Sequence, residues 1–228
     1  MRDIRHQGVI AFEQIIDPKK FESANPDIRI SISVSVGTNA PPPGDWECSI
    51  FWGRGDWSGS RPEAILTNTV FPVAAPDYFA SLGRDPHLSD IPERHLIRDR
   101  TRVWWRAFRE AAGGGDLDPT AGRIYNRTSL CLRAAARGDG VTIGDEVTTQ
   151  NAIETGELVS VFPARLPSPD AYYPALAEPG PASHAVHRFA DWLRAEAETH
   201  RAYFQSYGRP ADRSASSENI ISVMRRKP

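Results

Sequence analysis

The sequence predicts an α/β fold whose strands pair largely in parallel. Three observations carry this. Short apolar runs recur along the chain, each bounded by Gly, Pro or Asn. Between them lie segments whose apolar residues fall three and four apart. The two patterns alternate, the order that builds β–α–β crossovers rather than hairpins.

Ile10 to Lys20 reads as a helix with Ile15 and Ile16 inward, its end blurred by Pro18. Asn25-Pro26-Asp27 is a turn. Ile28, Ile30, Ile32, Val34 and Val36 alternate with Arg29, Ser31, Ser33 and Ser35, which predicts a strand with one buried face. The prolines between Gly37 and Gly44 make a loop. Ser49 to Trp52 is a buried strand that breaks into Gly53-Arg54-Gly55-Asp56. Ala64 to Val70 is a strand, and the apolar run from Val70 ends at Pro76, which opens a short helix, Asp77 to Leu82.

His95 to Ile97 is a brief strand. Thr101 to Ala112 is helical, with Val103, Trp104, Ala107, Phe108 and Ala111 on one side and Gly113-Gly114-Gly115 as its stop. Thr128 or Ser129 caps a helix through Arg137, ended by Gly138. Val141 to Ile143 is a strand leading into Gly144-Asp145, and Thr148 to Thr155 is a helix ending at Gly156. Leu158 to Phe162 and Tyr172 to Leu176 are strands. From Ser183 to Ala202 a long helix presents Val186, Phe189, Ala190, Leu193 and Ala197 on one face. After Gly208 the composition turns polar, as in a loosely attached tail.

A chain of 228 residues holds one large domain or two lobes with real cores. Its formal net charge of −2 excludes a surface devoted to coating nucleic acid. Two cysteines, Cys48 and Cys131, supply no disulfide framework and fit a reducing cytoplasm. The opening residues are broken by Glu13 and Gln14 and read as no signal peptide. No run approaches the ~18 apolar residues of a membrane span. G-x-S-x-G, P-loop, H-E-x-x-H and C-x-x-C motifs are absent, so no enzyme, cofactor or metal site is expected. His184 and His187 stand three apart but have no third ligand beside them, and they read as a solvated helix start.

Two places suit a ligand. A strand breaking into glycines leaves backbone N–H groups and an arginine at its C-terminal edge, where open α/β sheets bind ligands. There Arg54 pairs with a carboxylate and Trp52 stacks on a ligand, with Gly53 between them; the alternative is a buried Trp beside a surface Arg. Thr128 and Ser129 stand at a helix N-terminus, an anion site or a plain cap, with Asn126 close by.

Seven phrases in order carry a family resemblance: FESANPDIRISI, IFWGRGDWSG, LTNTVFPVAAPDYF, LSDIPERHLIRDRTRVWWRAFREAAG, RIYNRTSLCLRAAARGDGVTIG, ETGELVSVFPARLPSPDAYY and HRFADWLRAEA. Over about residues 20 to 200 the chain resembles the effector-binding domain of LysR-type transcriptional regulators, closest to their glycine-cleavage-activator branch. The resemblance implies a periplasmic-binding-protein-like (type II) fold, two α/β lobes joined by two crossover strands. Lobe one is then 1–72 plus 163–205, lobe two 73–162, and 206–228 a tail.

It further implies a small-molecule effector received between the lobes. Trp52, Gly53 and Arg54 become cleft-lining residues, joined by Thr101, Ala74 (through its backbone), Asn126, Thr128, Ser129 and Gly144. Arg102 and Asp145 read as a surface charge and a turn. Cys48 and Cys131, in different lobes, read as buried free thiols rather than a redox pair. The implied partners are further copies of the chain, as a homodimer or homotetramer, and no membrane. The family's winged helix-turn-helix has no counterpart in these residues, and MRDIRHQGVIAF matches the family's first strand poorly. DNA binding by this chain alone is therefore not expected. The rival readings are a solute-binding protein of a transport system, which shares the fold, and an enzyme on the same scaffold.

Overall fold

A computed structural model describes residues 2–8, 17–34, 47–55, 63–83, 86–100, 103–112, 117–176 and 183–207. The chain divides into two compact units, unit 1 with Met1–Asn68 and Ser168–Tyr207, and unit 2 with Thr69–Pro167. It passes between them twice, inside β4 (Leu66–Ala74) and inside β9 (Leu166–Leu176).

Unit 1 holds β1 (Arg2–Gly8), α1 (Pro18–Ala24), β2 (Ile28–Val34), β3 (Cys48–Gly53), most of β9, and α6 (His184–Ser206). Its strand order is β2-β1-β3-β9. β1 runs parallel to β2, from Arg2 opposite Ile28 to Gly8 opposite Val34, and parallel to β3 at His6 and Cys48. β3 and β9 are antiparallel, from Cys48 opposite Leu176 to Gly53 opposite Ala171. Arg2–Gly8 is a strand despite its poor sequence match, because ladders on both sides hold its backbone.

Pro18 begins a helix rather than blurring the end of one. Asp17 caps it, accepting from the Lys19 N–H at 3.0 Å, and a residue without an N–H suits the first turn. Residues 10–16 of the expected earlier helix lie outside the described residues. In β2, Ile28 is buried while Arg29 and Ser31 are exposed, as the alternation requires. On α6, Val186, Phe189, Ala190, Leu193 and Ala197 are all buried, and the helix continues past Ala202 to Ser206. Its Phe189 meets Phe21 of α1 edge-on, with ring centroids 5.3 Å apart. Each such buried ring contributes ~2–3 kcal/mol.

Unit 2 holds most of β4, α2 (Pro76–Ser81), β5 (Leu96–Arg98), α3 (Val103–Ala112), β6 (Arg123–Ile124), α4 (Thr128–Ala136), β7 (Val141–Asp145), α5 (Glu146–Glu154), β8 (Val159–Ser160) and the start of β9. Its strand order is β4-β7-β5-β6, with β8 on β4. β5 is parallel to β6 and β7, whereas β4 is antiparallel to β7 and β8. The expectation of largely parallel pairing thus needs correcting: the sheets are mixed. Among the described residues, the antiparallel ladders belong to β4 and β9, the two strands in which the chain changes units.

β4 joins the two apolar runs around Val70 into one strand, with Val70, Phe71, Val73 and Ala74 buried. Pro72 fits inside it because only its carbonyl is needed, accepting from the Val161 N–H at 3.0 Å. The buried face of α3 is Trp105, Ala107 and Phe108, and Val103 is 54% exposed. Ala107 and Phe108 are buried as expected, but Trp105 rather than Val103 completes the face, because its indole N–H donates to the Ile97 carbonyl at 3.0 Å. α4 starts at Thr128, so Arg127 is its N-cap, without a side-chain capping bond. α5 starts at Glu146 rather than Thr148. Asp145 caps it, accepting from the N–H groups of Val147 and Thr148 at 3.0 Å each.

Candidate functional site

The parallel strands of unit 2 end at a pocket. Ile97, Arg98 and Asp99 line it from the end of β5, Thr142 and Ile143 from β7, Trp104 and Trp105 from α3, and Thr128 and Cys131 from α4. Its enclosed volume is small, about 20 Å³, and its mouth is open. This is where α/β sheets receive ligands, outside the carboxyl ends of the strands and beside helix N-termini.

Each wall has a local cause. Arg98 is buried, and its guanidinium donates to the carbonyls of Thr120 at 2.6 Å and Ala121 at 3.3 Å. Its charge thereby ties the loop before β6 to β5. In that loop Gly122 has φ +81, and a Cβ there would lie 2.0 Å from the Leu96 carbonyl oxygen, so only glycine fits. Trp105 is pinned by Ile97, while Trp104 is half-buried. The Cys131 thiol is pushed up to about 11 by burial and by the charge of Asp99, with the Thr142 hydroxyl holding it back. A thiol so raised carries little thiolate at neutral pH.

Thr128 is half-buried in the first turn of α4, with Ser129 and Asn126 exposed beside it. Of these three only Thr128 lines the pocket, whose walls also carry Arg98, Asp99 and Thr142 beside the two tryptophans.

In unit 1, Trp52 lies opposite Tyr172, ring centroids 4.5 Å apart at 50°, a cross-strand aromatic pair. Gly53 pairs with Ala171, and Arg54 Nε stands 3.9 Å from Asp170 Oδ1. Both side chains are partly exposed, so that pair is weak. Gly55 turns the chain at φ +71, where a Cβ would strike the Tyr173 ring at 2.7 Å.

The sequence-predicted residues therefore fall into three groups. Thr128 lines the pocket, with Asn126 and Ser129 exposed near it in the chain; Trp52 and Gly53 end β3, and Arg54 follows them. Ala74 is fully buried and paired with Val159, and Gly144 is buried opposite Phe71. Thr101 and Arg102 lie outside the described residues. Sequence reasoning missed Arg98, Asp99, Thr142 and Ile143. The signal was present: a short apolar strand running directly into Arg98-Asp99. Cys48, pushed up to about 12 by burial against the opposing charge of Arg194, and Cys131 are both buried free thiols. Among the described residues no helix is long and apolar enough to cross a membrane.

Two α/β units, two strands passing between them, and a pocket at the carboxyl ends of parallel strands define a small-molecule-binding α/β domain. The family described as LysR substrate binding domain matches residues 19–198, and the chain belongs to it. It is an effector-binding domain of the LysR type, with that family's periplasmic-binding-protein-like (type II) fold.

The chain is 28% identical over 187 residues to the glycine cleavage system transcriptional activator of Escherichia coli (strain K12), covering 81% of this chain and 61% of that protein. It is 25% identical over 185 residues to the HTH-type transcriptional activator AmpR of Enterobacter cloacae, with the same two coverages, 81% and 61%. The chain thus spans about 61% of the length of these curated relatives, which are transcriptional regulators. Among solved structures, the effector domain of the transcriptional regulator AmpR of Pseudomonas aeruginosa superposes with a TM-score of 0.70 at 19% identity, covering 89% of this chain and 99% of that one. The regulatory domain of AphB in Vibrio vulnificus gives a TM-score of 0.64 at 19% identity, covering 85% and 98%. Both likenesses are of fold.

Proposed function

We propose that this chain is the sensing part of a cytoplasmic transcriptional regulator, binding a small organic anion and acting by binding rather than turnover. One observation carries the reading. In a member of the LysR substrate-binding family, the pocket at the carboxyl ends of β5 and β7 opens beside the first turn of α4. Thr128, Ser129 and Asn126 supply the polar contacts and Trp104 the apolar side. Trp52, Gly53 and Arg54 of unit 1, Thr101, and the backbone at Ala74 and Gly144 are proposed as further effector contacts, with the two units as the family's two lobes.

Effector binding shifts the domain between conformations, and a homodimer or homotetramer passes the shift to DNA. The DNA contact is made by a helix-turn-helix of the kind for which the AmpR relatives are named, outside residues 19–198.

A thermal-shift screen against amino acids, aromatic acids and other small carboxylates tests this. A ligand at 100 times its Kd stabilises by ~2.7 kcal/mol and raises Tm. The expected hit is recovered unchanged after long incubation, and it loses most of its effect in Thr128→Val. A hit that is consumed, or one indifferent to Thr128→Val, contradicts the reading.

A further inference from the structure

Arg98, the last residue of β5, is only 6% exposed. Its Nε donates to the Ala121 carbonyl at 3.3 Å and its Nη2 to the Thr120 carbonyl at 2.6 Å, and both acceptors are neutral. A guanidinium is rich in N–H donors, so most of them are left for another acceptor. Among the described residues Arg98 makes no ion pair. A buried cation held by neutral dipoles alone has lost its water without gaining a counter-charge, which is the unfavourable way to bury one. Tying the loop before β6 to β5 needs donors but not a charge. The charge itself is left to be explained.

Arg98 also lines the pocket, together with Thr128 of the first turn of α4 and the half-buried Trp104. A counter-charge reaches the guanidinium from that side. The enclosed space of about 20 Å³ is little more than one water fills, and it opens outward. It suits the carboxylate end of a ligand, with the rest of the molecule at the mouth. A planar carboxylate also matches the guanidinium fork. Asp99 is part of the same lining, and its charge disfavours bringing in more than one negative charge.

We propose that Arg98 binds the effector's carboxylate, and that the effector is a monocarboxylate whose charged end enters this pocket. The inference rests on the proposed function and sharpens it, from a small organic anion to a monocarboxylate and from a helix start to one guanidinium.

Acetate carries the carboxylate alone and is the probe, with acetamide as its neutral counterpart and sulfate as a dianion, each titrated into the native chain at constant ionic strength. By NMR, acetate shifts the Arg98 Nε–H and the indole N–H signals of Trp104 and Trp105, and it saturates with a Kd on the order of a millimolar, the scale for a four-atom ion. Acetamide and sulfate shift them far less. Arg98→Gln keeps a donor for the loop carbonyls but removes the charge, and acetate binds it about tenfold more weakly. Arg98→Lys restores the charge without the fork and recovers part of that loss.

No saturation by acetate, equal shifts with acetamide, sulfate binding as well as acetate, or unchanged acetate affinity in Arg98→Gln each overturns the proposal. Should Arg98→Gln not fold, the native titrations still decide it. A hit from the carboxylate screen that needs Thr128 but not Arg98 overturns this inference and leaves the proposed function standing.

Discussion

Gly144 lies so close to Thr149 that a Cβ added to the glycine would stand 2.3 Å from Thr149 Cγ2. Leu132 Cδ2 and Val73 Cγ2 would each be 3.3 Å away. At this glycine β7 packs directly on α5. Gly144→Ala should destabilise the domain by about 1–3 kcal/mol through overpacking. Thr149→Ser removes the clashing methyl and keeps the bond from the hydroxyl to the Asp145 carbonyl at 2.6 Å. Urea unfolding of the double variant should therefore recover most of the loss. Simple additivity of the two changes would refute the contact.

His200 is buried on α6, its ring centroid 5.0 Å from that of Phe204. Burial, with the Arg201 charge adding to it, lowers its pKa to about 4 from an ordinary 6.5. The unfolded chain therefore takes up the proton first. The stability owed to neutral His200 is whole above pH 6.5 and is lost as pH falls toward about 4. At ~1.4 kcal/mol per pH unit the total is on the order of 3 kcal/mol. Between pH 7.5 and 4.5, His200→Gln should lose less stability than the native chain. Equal losses would show that His200 is not the sensitive group.

Cys48 and Cys131 bear on whether the domain senses oxidants. With thiols pushed up to about 12 and about 11, neither offers appreciable thiolate at neutral pH. Native protein at pH 7.5 should react with a thiol-specific dye only on unfolding. Rapid labelling of either cysteine in the folded chain would reopen a redox role.

What the sequence disclosed follows from where periodicity is unambiguous. The α6 face and the β2 alternation were legible because one spacing accounts for each residue from Val186 to Ala197, or from Ile28 to Ser31. On α3, Ala107 and Phe108 were legible but the choice of tryptophan was not. Two adjacent tryptophans fit the helical pattern, and only the Trp105 to Ile97 hydrogen bond, made across elements, chooses between them. Arg2–Gly8 lacks an apolar stripe, and its strand comes from its neighbours. At the pocket, the hydroxyls of Thr128 and Ser129 were visible as a helix start. The role of Arg98 was not legible, because its carbonyl partners, Thr120 and Ala121, stand 22 and 23 residues along the chain.

The central claim is that a small organic anion binds at the first turn of α4. Calorimetric titration of the best compound from the carboxylate screen, into the native chain and into Thr128→Val, tests it most directly. The account predicts a single site whose Kd weakens about tenfold in the variant, the ~1.4 kcal/mol of one hydrogen bond to a charged group. Unchanged affinity in a folded Thr128→Val chain would contradict it.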